Sequence, residues 1–242
     1  MTATTSPVPQ ILLPGQAAAP AGPIDMVGMY VMHHGFRRDL DSFIRTVPAT
    51  PVDDRAAWAA LAERWEFFAF VLHHHHTAED EGLWPPLVER VDAAGDAAGR
   101  DVLAAMEAEH AQIDPLLDGC RAGFGRLAEA ADADARAALE VRLVATRQVL
   151  DQHLAHEERE AIPLIQRHID RALWARLEKE HFSAGYTFRQ TLRVLGWAMD
   201  QLPEAGRDAM FNQPGAGAFR PVWRWVVGPR HARRERRVFA GA

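Results

Sequence analysis

The chain is nearly devoid of cysteine and of lysine. Its 242 residues include one cysteine, Cys120, and one lysine, Lys179. A single cysteine excludes an internal disulfide framework, a CxxC redox pair and any cysteine-based zinc or iron–sulfur site. No apolar run approaches the roughly 20 residues needed to span a bilayer, so we expect no stable membrane insertion. The net charge of −6 excludes a general nucleic-acid-binding charge.

Histidine and acidic residues are instead abundant. The chain has twelve histidines and thirty-three aspartates and glutamates, with 48% hydrophobic residues that are sufficient for a sizeable core. Imidazole and carboxylate groups without thiolates form a donor set that suits a hard or borderline metal ion. Composition therefore permits a metal site but does not locate one.

The first 23 residues differ from the rest of the chain. Five prolines separated mainly by small residues predict a disordered arm over residues 1–23. This arm lacks the basic and continuous apolar regions of a secretory signal, so we expect a cytoplasmic protein.

Helix-forming residues dominate from about residue 24 to residue 202. Apolar spacing and proline positions predict four long helices, which we place at 24–46 (ending before Pro48), from Asp53 or Asp54 to Trp84, 96–130 (with a kink at Pro115) and 133–162. The short linkers between them predict an all-α, up-down-up-down four-helix bundle over residues 24–170. An additional helical stretch at 171–202, beginning at about 169, is expected to pack on this bundle.

Residues 203–242 are expected to form an irregular tail. The tail contains an aromatic stretch at 219–227 and a basic run at 230–237. We expect it to pack back against the bundle. Association of Trp223 and Trp225 with a membrane surface, or contact with a protein partner, is the alternative.

The second and fourth predicted helices end in the same pattern. VLHHHHTAEDEGLWP at 71–85 aligns without a gap on VLDQHLAHEEREAIP at 149–163, which superposes His75 on His153 and Glu79 on Glu157. Each His and Glu lie four residues apart, hence on one helix face, and each is followed by a proline six residues after the Glu. The preceding Val-Leu pair predicts that this face is buried.

Two buried carboxylates are costly unless a cation balances them. His110, on the apolar stripe of the third helix, and His33, on that of the first, supply further donors. Four imidazoles and two carboxylates in one bundle suit two transition-metal ions, with iron, manganese or zinc compatible with the donors.

Several other side chains remain alternatives to these six. His34 could replace His33, and a shift of one residue would pair His76 with Asp80. His73, His74 and His76 are otherwise expected to be solvated or to support the ligands, as are His156, Glu158 and Asp80. His168 and His181 have no partner at ligand spacing and are expected at the surface or in linkers.

The order H…HxxxE…H…HxxxE, with EDEGLWP and EEREAIP after the two paired motifs, resembles the hemerythrin-like (HHE cation-binding) family over about residues 24–170. The resemblance implies a non-haem di-iron centre with His33, His75, His110 and His153 as terminal ligands and Glu79 and Glu157 as bridging carboxylates. Oxygen-carrying hemerythrins have a fifth histidine where this chain has Asp114. This difference implies an open or carboxylate-filled metal position.

The resemblance further implies a metal-binding protein that takes up O₂ or NO for carriage, storage or sensing. A di-iron enzyme acting on peroxide or NO, or an iron-donating repair protein, is the alternative. A third hypothesis is a regulatory module in which residues 203–242 contact a partner. The sequence does not decide whether the protein is an enzyme.

Overall fold

The computed structural model describes residues 6–239, and these are helical almost throughout. No strand occurs among them, apart from one isolated bridge between Val8 and Gly22. The α-helices are α1 (Val27–Ala49), α2 (Arg55–Ala78), α3 (Trp84–Ala93), α4 (Ala97–Glu129), α5 (Ala133–His156), α6 (Ile162–His168), α7 (Arg171–Leu177), α8 (Phe188–Ala198), α9 (Glu204–Phe211), α10 (Arg220–Val222) and α11 (Gly228–Val238). The all-α fold class is therefore confirmed.

The long helices α1, α2, α4 and α5 lie side by side. Helix α2 packs against α1 and α4, and α5 packs against α4 and α1. Aspartates 54, 96 and 132 cap the N-termini of α2, α4 and α5 by accepting a hydrogen bond from a backbone N–H of the first turn. The apolar stripes of these helices meet in an aromatic core around Phe43, whose ring lies 5.1 Å from that of Trp65.

Two π-helical turns follow α2 and α5 at equivalent positions of the sequence repeat. They span Glu79–Leu83 and Glu157–Ala161. In each turn a backbone N–H bonds to the carbonyl five residues earlier, from Trp84 to Glu79 and from Ile162 to Glu157. A proline without an N–H comes next in both cases, so an α-helical bond from that position is unavailable. The wide turn changes the helical phase directly after the paired His and Glu.

Several boundaries differ from those predicted. The helical segments predicted to stop at Trp84 and at Ile162 instead continue through the π turns into α3 and α6. Helix α1 continues through Pro48 to Ala49, because a proline this close to the C-terminus removes only one helical hydrogen bond. The predicted helical stretch at 169–202 is broken: α7 and a π turn at Glu178–Phe182 are separated from α8 by residues 183–187. Gly185, with φ of +83°, lies in this break.

The prediction of a disordered arm is wrong for residues 6–23, which pack on the helices. Leu13 is buried. Gln10 donates to the carbonyl of Ile24 at 2.8 Å and accepts from the N–H of Met26 at 3.1 Å. Glutamine side chains thus satisfy backbone groups in a segment whose prolines prevent regular structure. Residues 1–5 lie outside the described part of the chain.

The predicted irregular tail is mostly helical where the structure describes it. Helices α9, α10 and α11 occupy much of 204–238, consistent with the high helix propensity of its arginines. Glu235 pairs with the buried Arg64 of α2 at 3.0 Å, and the Phe239 ring lies 5.3 Å from that of Phe43. The tail therefore contacts the core of the long helices. Between residues 6 and 239, no helix combines the length and apolar character required to cross a membrane.

Candidate metal centre

Two groups of buried side chains lie at one level between the long helices. Site 1 comprises His33, His75 and Glu157, and site 2 comprises His76, His110 and His153. Within each group, one potential ligand atom per residue lies within 4.8 Å of the others. Adjacent residues of α2, His75 and His76, belong to different groups, so α2 connects the two.

Glu79 lies between the two sites. Its Oε1 is 3.1 Å from Nε2 of His75, and its Oε2 is 3.5 Å from Nε2 of His110. The side chain is fully buried. One oxygen faces a histidine of each site, which is the geometry that a carboxylate shared by two cations requires.

Three histidines of the two groups each contact a carboxylate that lies outside the groups, through the ring nitrogen Nδ1. His110 Nδ1 is 2.8 Å from Asp80, His153 Nδ1 is 2.9 Å from Glu109, and His33 Nδ1 is 2.9 Å from Glu158. A carboxylate accepts hydrogen bonds, so each Nδ1 carries the proton. Each Nε2 atom is then directed into the site, where its lone pair is available to a metal once that nitrogen is unprotonated.

In each π turn, two consecutive acidic residues contact opposite ring nitrogens of one histidine. In Glu79-Asp80 the first carboxylate enters the site and the second binds His110 of α4. In Glu157-Glu158 the first lies 3.0 Å from Nε2 of His33, and the second binds Nδ1 of the same ring. The sequence repeat therefore encodes two equivalent pairs, each with one inner and one outer carboxylate.

The donor atoms of the site have no adequate protein partners. The Nε2 atoms of His33, His75 and His76 and all four oxygens of Glu79 and Glu157 are buried and form no hydrogen bond of acceptable geometry among residues 6–239. Their short contacts, such as 3.0 Å from Glu157 to His33 and 3.1 Å from Glu79 to His75, are made to one another. Nε2 of His110 lies 3.2 Å from Nε2 of His153, and when unprotonated both present a lone pair there. Such an arrangement is costly without a cation between the atoms. The residues present therefore fit the binding of metal cations.

Burial and mutual proximity shift the protonation of these groups. Burial lowers the pKa of His75 and of His76 well below the ordinary value, and the neighbouring imidazoles lower both further. Burial would also lower the pKa of His33, but Glu157 and Glu158 raise it to about 9. Burial and the Glu157 charge raise the pKa of Glu79 well above its usual range. His75 and His76 are thus held in the neutral form that binds metals.

The structure brings all six predicted residues together: His33, His75, Glu79, His110, His153 and Glu157 are each at most 5% exposed. His33 rather than His34 faces the site. His34 instead lines a polar cavity that also contains Arg37 and Arg38.

His76 was expected to be solvated or to support the ligands, and the structure shows that it is buried. It is 4% exposed, belongs to site 2 and stacks on His110 with ring centroids 4.0 Å apart. The side chains of adjacent helical residues point about 100° apart, so helix periodicity predicts that one faces inward and the other outward. Both are buried here because the His75 ring contacts His33 of α1, whereas the His76 ring contacts His110 of α4 and His153 of α5. The unbroken run of four histidines was the available signal.

The structure also places the other predicted residues. Asp114 is exposed on α4 and lies outside both groups, whereas His76 brings a fifth imidazole to them from α2. Glu158 and Asp80 bind Nδ1 of His33 and of His110, and His156 binds Glu109 at 2.8 Å. His181 is not a free surface residue, because its ring lies against Gly82.

A further group, Asp200, His231 and Glu235, also meets the spacing for a cation. Glu235 is engaged by Arg64, at 3.0 Å, and the group is only partly buried. The neighbouring guanidinium opposes a cation there, so this group is a weaker candidate than sites 1 and 2.

Comparison with known proteins supports the same conclusion. Residues 28–165, which include every residue of sites 1 and 2, match the family described as "Hemerythrin HHE cation binding domain". No curated protein and no solved structure matched the chain. The match covers more than half of the sequence and contains the buried histidine and glutamate groups, and the chain therefore belongs to the hemerythrin HHE cation-binding domain family.

Proposed function

We propose that the protein holds two non-haem iron ions and uses them to bind O₂ or NO for carriage, storage or sensing. One observation carries the proposal: Glu79 directs one oxygen to His75 of site 1 and the other to His110 of site 2. Two cation positions connected by one carboxylate are the arrangement that this proposal needs. Manganese and zinc are compatible with the same donors.

The ligand assignment follows from the two groups. His33, His75 and Glu157 would hold the first ion, and His76, His110 and His153 the second. Glu79 would contribute to both. Two ferrous ions in such a site would supply one-electron chemistry toward O₂ or NO. The outer carboxylates Asp80, Glu109 and Glu158 orient the imidazoles and keep each Nδ1 protonated.

Surrounding apolar side chains restrict access of water to the site. The Phe36 ring lies 5.3 Å from that of His75, and Met106 is fully buried one helical turn before His110. Five imidazoles rather than four support ligand binding over the alternative of an enzyme acting on peroxide or NO. The fifth imidazole makes the ligand set resemble the five-histidine set of oxygen carriers, although it comes from α2.

We also propose the organisation that this function implies. Helices α1, α2, α4 and α5 would form an up-down-up-down four-helix bundle that, with α3 and α6, makes up a metal-binding unit over 24–170. The short connections from α1 to α2 and from α4 to α5, together with the side-by-side packing of the four helices, support this arrangement. The segments 171–202 and 203–242 would be additions to that unit, in a protein that we expect to be cytoplasmic.

Metal analysis of untagged protein reconstituted with ferrous iron under anaerobic conditions tests the proposal. We expect about two irons per chain, and a visible absorption band that forms with O₂ or NO and is reversed when the gas is removed. His75→Ala combined with His153→Ala should remove most of the metal, whereas His73→Ala, at an exposed neighbour, should not. Fewer than one iron per chain in the unaltered protein would overturn the proposal. Steady consumption of peroxide or NO without a stable spectral change would favour the enzyme.

A further inference from the structure

A largely apolar cavity of about 320 Å³ lies beside site 1. Helices α1 and α2 form one side of it, and residues 174–210 form the other. Its walls include Met29, Met32, Trp174, Phe182, Tyr186 and Leu195. Pockets that bind small molecules begin at about this volume. The cavity is therefore large enough for a small organic molecule.

The cavity reaches the candidate metal centre through His75. This histidine belongs to site 1 and also lines the cavity. The opposite wall comes from residues beyond 165, outside the part of the chain that matches the family. The C-terminal addition thus encloses a space next to a metal ligand, a role that the family match does not assign to it.

Tyr186 provides the cavity with a hydrogen-bonding group that no protein atom uses. Its hydroxyl is buried and has no hydrogen-bond partner among the described residues. Its ring lies 4.1 Å from the ring of His74, which is itself fixed by contact of Nε2 with the Phe182 carbonyl at 3.1 Å. A buried hydroxyl without a partner is costly, and a ligand can satisfy it.

The residues that line the cavity indicate which kind of molecule it can bind. Three aromatic residues and three methionines favour an aromatic ring, because thioether sulfur and aromatic edges both pack well against one. No lysine or arginine of residues 6–239 lines the cavity, and the carboxylate of Glu178 does, so an anion is disfavoured. A cation is disfavoured by the metal pair proposed above, and this last point alone rests on the proposed function.

We propose that the cavity binds an uncharged aromatic molecule with one hydroxyl group, of the phenol class, with its hydroxyl bonded to Tyr186 and its ring beside His75. The C-terminal addition then serves to place an organic ligand next to the metal centre. The binding itself depends on α1, α2 and residues 174–210 and not on the metal.

Calorimetric titration of the full chain with 4-ethylphenol tests this proposal, in both metal-free and iron-loaded protein. We expect saturable one-to-one binding with a dissociation constant below about 1 mM, as is reasonable for a fragment-sized ligand. 4-Hydroxybenzoate, which is anionic at neutral pH, should bind at least about tenfold more weakly. Binding to the metal-free protein separates this result from any failure of the metal proposal.

Three variants identify the site. Val194→Trp fills the cavity and should weaken 4-ethylphenol binding at least about tenfold. Val141→Trp, at an exposed valine outside the cavity, should leave binding unchanged. Tyr186→Phe keeps the ring and removes the hydroxyl, and should weaken binding roughly three- to tenfold, the effect of one hydrogen bond. The proposal would be overturned if the unaltered protein showed no saturable binding of 4-ethylphenol. It would also be overturned if folded Val194→Trp and Tyr186→Phe both bound 4-ethylphenol as tightly as the unaltered protein.

Discussion

His33 of α1 and Glu158 of the second π turn form a fully buried hydrogen bond across 125 residues of sequence, with Nδ1 and Oε1 2.9 Å apart. Arg37 donates to the same oxygen at 2.7 Å, so the carboxylate remains charged in a buried position. Burial would raise the pKa of Glu158, but His33 and Arg37 hold it below its usual value. This charged group outside the site fixes the orientation of His33 within it.

Replacing Glu158 by glutamine should therefore weaken metal binding. The amide is similar in shape but uncharged, so it holds the His33 ring less firmly and leaves Arg37 without its main partner. We expect metal affinity to fall about 10- to 100-fold, the usual effect of changing a residue that supports a ligand. Competition with a chromogenic chelator measures the change. Glu160→Gln, at an exposed position two residues later, is the control and should retain the original affinity.

Replacing His76 by alanine tests the assignment of the fifth imidazole. We expect loss of about one of two metal ions per chain, because site 2 keeps only His110, His153 and one oxygen of Glu79. Metal content after gel filtration is the measurement. His73→Ala removes an exposed histidine of the same run and should keep both ions. Two tightly bound ions in the His76 variant would exclude it as a ligand.

Asp39 should stabilise the fold strongly at neutral pH and not in acid. Its carboxylate binds Arg64 at 2.7 Å and Arg38 at 2.9 Å and accepts from the indole of Trp197 at 2.7 Å. Burial would raise the pKa of Asp39, but the two arginines and the indole hold it below its ordinary value. Asp39→Asn leaves Arg64 buried with less compensation and should cost about 3 kcal/mol at pH 7.

The pH dependence of this effect has a defined sign. Because the folded pKa of Asp39 is depressed, its contribution is present above the unfolded value of about 3.9 and is lost as pH falls through the folded pKa. Denaturant unfolding of both proteins should therefore show a difference that is constant above about pH 5 and shrinks below about pH 4. A difference independent of pH would show that charge is not its cause. Asp41→Asn, in a partly exposed pair, should cost less than about 1 kcal/mol.

Gly82 in the first π turn should not tolerate a side chain while His181 is present. A Cβ at this position would clash with Cγ of His181. We expect Gly82→Ala to destabilise the protein by about 1–3 kcal/mol through overpacking. His181→Ala should recover most of this loss in the double variant, as thermal unfolding can show. Gly125→Ala on α4, where a Cβ meets nothing within 4 Å, should instead be neutral or stabilising.

Much of the metal centre was predictable because local spacing encodes it. The repeated His-xxx-Glu motifs place His75 with Glu79 and His153 with Glu157 on single helix faces, whichever way the helices later pack. The spacing of apolar residues similarly predicted that His33 rather than His34 faces the core, and that His110 does so as well. The cost of burying two carboxylates then required a cation. These inferences depend only on helix periodicity and on the free-energy cost of burying a charged side chain, and both can be judged from the order of residues.

The buried position of His76 and the order of residues 6–23 were not predictable in the same way. His75 and His76 cannot both lie on one face of α2. His75 is buried against His33 of α1, and His76 is buried against His110 of α4 and His153 of α5, so both positions depend on how the helices pack. The order of residues 6–23 likewise depends on bonds from Gln10 to Ile24 and Met26, which require the chain to be folded. Patterns of proline and glycine report local preference and contain no information on such contacts.

The sequence alone determined the helical class, the scarcity of thiols and six donors with their spacing along the chain. Only the tertiary structure decided that Glu79 faces both histidine groups, that His76 joins the second and that residues 174–210 enclose a cavity beside His75. The physical reason is that helical periodicity fixes directions within one element. The distances between donors on different elements are set by the packing of the whole core.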